Sequence, residues 1–189
     1  MNGINKIIGI GLPKTGTSSL AVSLSNNNVP TIHFGSPECE EVAQKMYRGI
    51  YKFDIFKKYK GITNAFEVVF PQVDKEYPNS KFIYTVRDKD IWLTSIENHW
   101  IKALNDKKVD LMVMHHHLMT FGTYLFNRDR FSFVYDMHCD MVKNYFKDRK
   151  SDILTIDITN DVKYVYKICD FLNIEVVDGT AFHLNKGKN

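Results

Sequence analysis

Two short stretches of this sequence carry residue types that can bind and polarise a phosphate-like group. The first is Gly11-Leu12-Pro13-Lys14-Thr15-Gly16-Thr17-Ser18-Ser19-Leu20, which follows the apolar run Lys6 to Ile10. Glycines at 11 and 16 let the backbone curl, so that successive N–H groups and the N-terminus of a following helix point at one anion. Lys14 adds a cation, and Thr15, Thr17, Ser18 and Ser19 add hydroxyl donors. The second stretch places Arg87 at the end of the run Lys81 to Val86, with Ser95 eight residues on. A planar guanidinium fork and a hydroxyl on the next helix can converge on a single phosphate. Taken alone this second pair is a weak signal, because Arg87-Asp88 after a strand also reads as a local ion pair.

The position of the lysine sorts the first loop. A nucleoside-triphosphatase loop reads GxxxxGK[ST], with lysine directly after the second glycine. Here Thr17 holds that place and the lysine lies two residues before Gly16. The segment therefore departs from that pattern and resembles the 5′-phosphosulfate loop of sulfotransferases, of the form PK[ST]GT[ST]. Arg87 and Ser95, at their spacing, resemble the motif with which that family binds the 3′-phosphate of 3′-phosphoadenosine 5′-phosphosulfate (PAPS). The stretch from Gly122 to Phe146, then ILTIDITND and ICDFLNI, resembles a compact single-domain branch of the family. Residues 181–189 are similar to the C-terminal loop that in this branch closes over the nucleotide.

That resemblance implies PAPS as sulfuryl donor, PAP as product and no metal. It implies a nucleotide site made of Pro13, Lys14, Thr15, Gly16, Thr17, Ser18, Ser19, Arg87 and Ser95. It also implies a hydroxyl or amine acceptor on a small molecule, carbohydrate or lipid. In sulfuryl transfer negative charge builds on the bridging oxygen as it leaves, and a fixed cation such as Lys14 there favours the transition state. A general base must take the acceptor proton. In relatives it is a histidine or carboxylate, often near the end of the strand before the 3′-phosphate strand. Glu67 occupies that region, while His33, after the expected second strand, and His99, one helical turn beyond Ser95, are its rivals. Each also has a plain reading, as an exposed strand residue, a loop residue and a partly buried helix residue. Asn64 stands where some relatives carry a carboxylate, and an amide cannot accept the proton. His115-His116-His117 invites a metal reading, but consecutive helical residues point about 100° apart, so a solvated or substrate-facing helix is expected instead.

The elements that must position these residues alternate. Strands are predicted over Lys6 to Ile10, Val29 to Phe34, Ile62 to Phe70 (closed by Pro71), Lys81 to Val86 and Asp152 to Ile156. Helices are predicted over Ser18 to Ser25, from Ser36-Pro37-Glu38 onward, and over Asp90 to Leu104, Asp110 to Phe126, Arg130 to Phe146 and Val162 to Leu172. Alternation of this kind predicts an α/β fold with a central parallel sheet flanked by helices in three layers. Ligands in such sheets bind beyond the carboxyl ends of the strands, where both motifs fall. With no repeat or Pro/Gly-rich linker, residues 1–189 read as one domain.

Composition bounds the rest. A net charge of +3 is too small to imply nucleic acid and is compatible with an anionic ligand. Three cysteines without CxxC spacing argue for reduced thiols and, with no signal-peptide layout at the start, for a cytoplasmic location. No apolar run approaches a membrane span, and nothing in the sequence reads out an oligomeric state. Two other functions compete. Asp157, at the end of ILTID, would serve a magnesium-dependent P-loop kinase, and a non-catalytic scaffold would keep the nucleotide fold alone.

Overall fold

The computed structural model describes residues 3–106 and 111–182. Its centre is a five-stranded, wholly parallel sheet of order β2-β3-β1-β4-β5. The strands are β1 (Ile7–Gly9), β2 (Thr31–His33), β3 (Gly61–Thr63), β4 (Lys81–Thr85) and β5 (Ile153–Ile156). The central strands β1, β3 and β4 are buried on both faces, whereas the edge strand β5 leaves Thr155 exposed. Ile8 is fully buried in a cluster with Phe66, Phe70 and Phe82, while its neighbour Ile7 is fully buried on the other face with Leu20, Ile83 and Ile168. Helices α1 (Thr17–Asn26) and α7 (Tyr164–Leu172) cover that second face. Helices α2 (Glu40–Tyr47), α3 (Phe70–Glu76) and α6 (Arg128–Tyr145) cover the first. A third cluster joins Leu12 of the loop to Trp92, Leu93 and Ile96 of α4 (Lys89–Asn105), Phe121 of α5 (Leu111–Phe121) and Phe131 of α6. The three-layer α/β class is thus the one expected.

One predicted element is corrected. The stretch from Ile62 to Phe70 is not extended throughout. β3 ends at Thr63, Asn64 adopts φ 61°, and Glu67 lies in a turn. Pro71, expected to close a strand, instead sits in the first turn of α3. A proline's fixed φ suits a helix start as well as a strand end, so composition alone could not separate the two. The apolar residues of this stretch reach the core through the turn, with Ala65, Phe66 and Phe70 all buried. Smaller shifts have local causes. Pro37–Cys39 form a 3-10 turn before α2, and the Ser36 hydroxyl lies 3.6 Å from Cys39 Sγ instead of capping. α5 stops at Phe121 because Gly122 turns left-handed (φ 70°), and its expected first residue, Asp110, lies outside the described residues, as does the 183–189 part of the C-terminal loop. Cys39, Cys139 and Cys169 are free thiols.

Because the sheet is parallel, all its strands end on one edge. Gly11–Leu20 follow β1, His33 ends β2, Asn64 follows β3, Arg87 follows β4 and Asp157 follows β5. The chain crosses from β3 to β4 over β1, so this crevice is the switch point of the topology.

Candidate active site

The loop after β1 is held by close approach. A Cβ on Gly11 would lie 1.9 Å from Thr85 Oγ1 and 2.5 Å from the Thr85 carbonyl oxygen, so no side chain fits there. Lys14 takes φ 72°, a left-handed conformation costing a non-glycine residue about 1–2 kcal/mol. Three contacts from the β4–α4 segment hold the strained piece. The Trp92 indole N–H donates to the Pro13 carbonyl at 2.7 Å. Arg87 Nη1 donates to the Lys14 carbonyl at 3.3 Å. The Thr15 hydroxyl donates to the Leu12 carbonyl at 2.7 Å and accepts from Thr85 Oγ1, also at 2.7 Å. Thr15, expected as a ligand donor, therefore spends its hydroxyl inside the fold and is buried.

Gly16 (φ 100°) then caps α1 without a side chain. The first N–H groups of a helix have no carbonyl one turn back, and here no cap side chain covers them. The helix dipole adds positive potential at the same spot. Thr17 is buried and Ser18 partly open. Both hydroxyls face His33, whose Nε2 lies 3.2 Å from Thr17 Oγ1 and 3.1 Å from Ser18 Oγ. Thr63 Oγ1 donates to the Thr17 carbonyl at 3.1 Å, tying β3 to the same turn.

The electrostatics follow from crowding. Burial, and then the Arg87 charge, lower the Lys14 pKa. An anion received at the loop would offset both effects. His33 is also held below the ordinary histidine value, first by burial, with the Glu67 charge opposing and those of His116 and Lys14 adding. It is therefore a neutral imidazole near pH 7, able to accept a proton. Arg87 keeps a buried Nε without a partner. The local ion pair that its neighbour could have made is replaced by a cap, since Asp88 accepts from the N–H groups of Asp90 and Ile91. Ser95 is partly buried on the helix that Asp88 starts and Trp92 anchors.

The remaining candidates separate. Glu67 is 1% exposed, and its Oε2 lies 3.0 Å from His116 Nε2, while Oε1 has no partner. It is neither a strand residue nor an exposed one. His99 lies on the open side of α4, where desolvation and then the Lys14 charge lower its pKa. The histidine triplet is corrected. Only His115 is exposed, stacked on Tyr47, whereas His116 meets Glu67 and His117 stacks on Trp100 at 4.0 Å. Asp157 accepts from Thr159 N–H, Thr159 Oγ1 and Asn160 Nδ2, closing its own turn. Trp92 and Thr85 take part in this site although residue type did not mark them, and His116, marked only as one of a histidine triplet, enters through Glu67. Helical spacing placed Trp92 in the core, but nothing local announced its bond to Pro13.

Comparison with known proteins bears on the fold and the family. No helix among the described residues is long and apolar enough to cross a membrane. No curated protein matches the sequence. The crystal structure of a sulfotransferase from Alicyclobacillus acidocaldarius is similar in fold, with a TM-score of 0.61 at 15% identity over 98% of this chain and 88% of that one. The family model described as "Sulfotransferase domain" matches residues 6–189. Nearly the whole chain is covered by that match, and it belongs to the sulfotransferase family.

Proposed function

We propose that the site moves the sulfuryl group of PAPS to the hydroxyl of a small-molecule, carbohydrate or lipid acceptor, or to an amine in the same place. The observation that carries this reading is the bond from Arg87 to the Lys14 carbonyl, 3.3 Å long. It sets a guanidinium with unused donors beside the phosphate loop, where a nucleotide bearing both 5′ and 3′ charge would meet both. The fit has two further supports. The α1 N-terminus has no side-chain cap, and the Arg87 Nε is buried without a partner. An ATP-like ligand would leave that guanidinium unsatisfied. Asp157, the carboxylate a kinase reading needs, is already bonded within its own turn.

In this reading the donor supplies an activated sulfur–oxygen bond, and the chain's residues do the rest. The backbone N–H groups at the start of α1, with Thr17, Ser18 and Ser19, hold the 5′-phosphate. Pro13, Thr15 and Gly16 shape the loop around it. Arg87 and Ser95 hold the 3′-phosphate. Lys14 faces the bridging oxygen, which gains the electron pair as its bond to sulfur breaks and the acceptor oxygen bonds to sulfur. His33 takes the acceptor proton on Nε2, released when the Thr17 and Ser18 hydroxyls turn to the phosphate. Glu67 acts on His33 through its charge rather than by touching substrate, since it is sealed behind His116.

The test is calorimetry of PAP, AMP and ADP with and without magnesium, with PAPS turnover on a panel of alcohols. PAP should bind roughly 10- to 100-fold more tightly than AMP, the equivalent of a charged hydrogen-bond set, without magnesium. Arg87→Ala should abolish that preference and leave the fold intact. Equal affinities, or an absolute need for magnesium, would favour the kinase reading. PAP binding without turnover of any acceptor would favour a scaffold.

A further inference from the structure

Three consecutive loop residues are tied to one other segment. The Pro13 carbonyl accepts from Trp92, the Lys14 carbonyl from Arg87, and the Thr15 hydroxyl from Thr85. Thr85 ends β4, Arg87 follows it, and Trp92 stands in the first turn of α4, the helix that bears Ser95. The clamped residue in the middle is the one in a left-handed conformation. Such a conformation persists only where its surroundings over-determine it. Two of the three ties are dry, because Trp92 is fully buried and Thr15 is 1% exposed. The middle tie is the longest, at 3.3 Å, and its guanidinium still has an unpartnered Nε.

We infer that the β4–α4 segment links the 3′-phosphate subsite to the placement of Lys14, with Trp92 as a positioning residue and Arg87 as the responsive tie. The inference rests on the PAPS reading above. A phosphate received on the free donors of Arg87 and on Ser95 immobilises both the guanidinium and the helix. Through the Lys14 and Pro13 carbonyls it then fixes the backbone that aims the ammonium. The 3′-phosphate is remote from the reacting sulfur, so its binding energy would act on turnover as well as on affinity. An error of about 1 Å in a catalytic group can cost roughly 100-fold in rate.

The test reads the loop directly. Hydrogen exchange is followed on the peptide carrying residues 11–20, in the free protein and saturated with AMP or with PAP, for the wild type and Trp92→Phe. Phenylalanine keeps an aromatic ring in the core while removing the indole N–H with part of the fused ring, so thermal unfolding of the variant is measured alongside to read the packing loss separately. PAP should slow loop exchange in the wild type about ten-fold beyond AMP, as a locally stabilised segment does. In Trp92→Phe that difference should shrink to two-fold or less. PAP affinity should stay within about three-fold, and the single-turnover rate at saturating PAPS should fall roughly 10- to 100-fold. If AMP and PAP protect the loop equally in the wild type, the linkage does not exist, and this arm needs no variant to fold. If Trp92→Phe loses affinity while its saturated rate is unchanged, Trp92 is only structural. If PAP fails to bind the wild type, the PAPS reading falls and the linkage falls with it.

Discussion

The Nε2 of His116 lies 3.0 Å from Oε2 of Glu67, and both side chains are sealed from solvent. A buried pair of this kind holds its carboxylate away from solvent, whereas His33 sits on the hydroxyls of Thr17 and Ser18 at the start of α1.

The two base candidates are therefore separable. His33→Ala should lower the single-turnover rate by roughly 100- to 10,000-fold, the range for loss of a general base. Its midpoint of thermal unfolding should move little. Glu67→Ala should do the reverse, costing about 1–3 kcal/mol of stability by leaving the buried His116 Nε2 without its partner, with Glu67→Gln milder because the amide can still bond His116. A Glu67→Gln protein that folds normally yet loses activity as completely as His33→Ala would return Glu67 to the role of base.

Lys14 should matter mainly in the transition state. Lys14→Ala should cut turnover by roughly 100- to 1,000-fold, the usual loss for one preorganised electrostatic group. PAP affinity should drop far less, since the α1 N-terminus is unchanged. Lys14→Arg should not restore full activity, because a planar fork cannot place its charge where a compact ammonium does. Single-turnover rates alongside calorimetry decide this. Loss of PAP binding with an unchanged saturated rate would make Lys14 a ground-state anchor only.

Gly11→Ala should disrupt the loop whatever the nucleotide. The added methyl meets the Thr85 hydroxyl at 1.9 Å and the Thr85 carbonyl at 2.5 Å. Trimming Thr85 to alanine removes the hydroxyl contact and leaves the carbonyl one, so the double variant Gly11→Ala/Thr85→Ala should remain without PAP binding. Recovery of binding in that double variant would show that the backbone can yield.

Stability should fall with mild acid. Burial pushes the His117 pKa down to about 3 and that of His138 down to about 4, against about 6.5 in an unfolded chain. Both are lowered in the folded state, so below about pH 6.5 the unfolded chain binds protons that the native state refuses. The native state is then favoured above pH 6.5 and loses ground as pH falls, by about 1.4 kcal/mol per pH unit for each such histidine. His33, shifted the same way, adds to the slope. Urea melts between pH 7 and pH 5 measure it above the range where most carboxylates titrate. His117→Phe, which keeps a ring against Trp100, should flatten the slope by about one proton. An unchanged slope would mean that His117 is open to solvent.

Most of what local chemistry controls was legible in the residues. The apolar runs that became the central strands are short, flanked by turn residues and buried on both faces, which is why the alternating pattern predicted the parallel sheet. The strand–loop–helix unit after β1 could be read because glycine spacing, a cationic residue and a following helix are all near neighbours in sequence. The stretch after Thr63 was misread because its signals are ambiguous at that range. Apolar residues and a proline serve a buried turn and a helix start as well as a strand. The histidine triplet was misplaced for a related reason, as its spacing excluded a shared metal but could not say which faces of α5 would be covered.

What the sequence by itself determined was the set of groups at the carboxyl edge of the sheet: the loop after β1, the histidine ending β2, the arginine after β4. Only the tertiary structure decided how they meet. Thr15 and Thr85 are 70 positions apart, Pro13 and Trp92 are 79, and Glu67 and His116 are 49. A hydrogen bond needs its donor and acceptor placed to within a few tenths of an ångström. Over such separations that placement comes from the packing of whole elements, and no run of neighbouring residues encodes it.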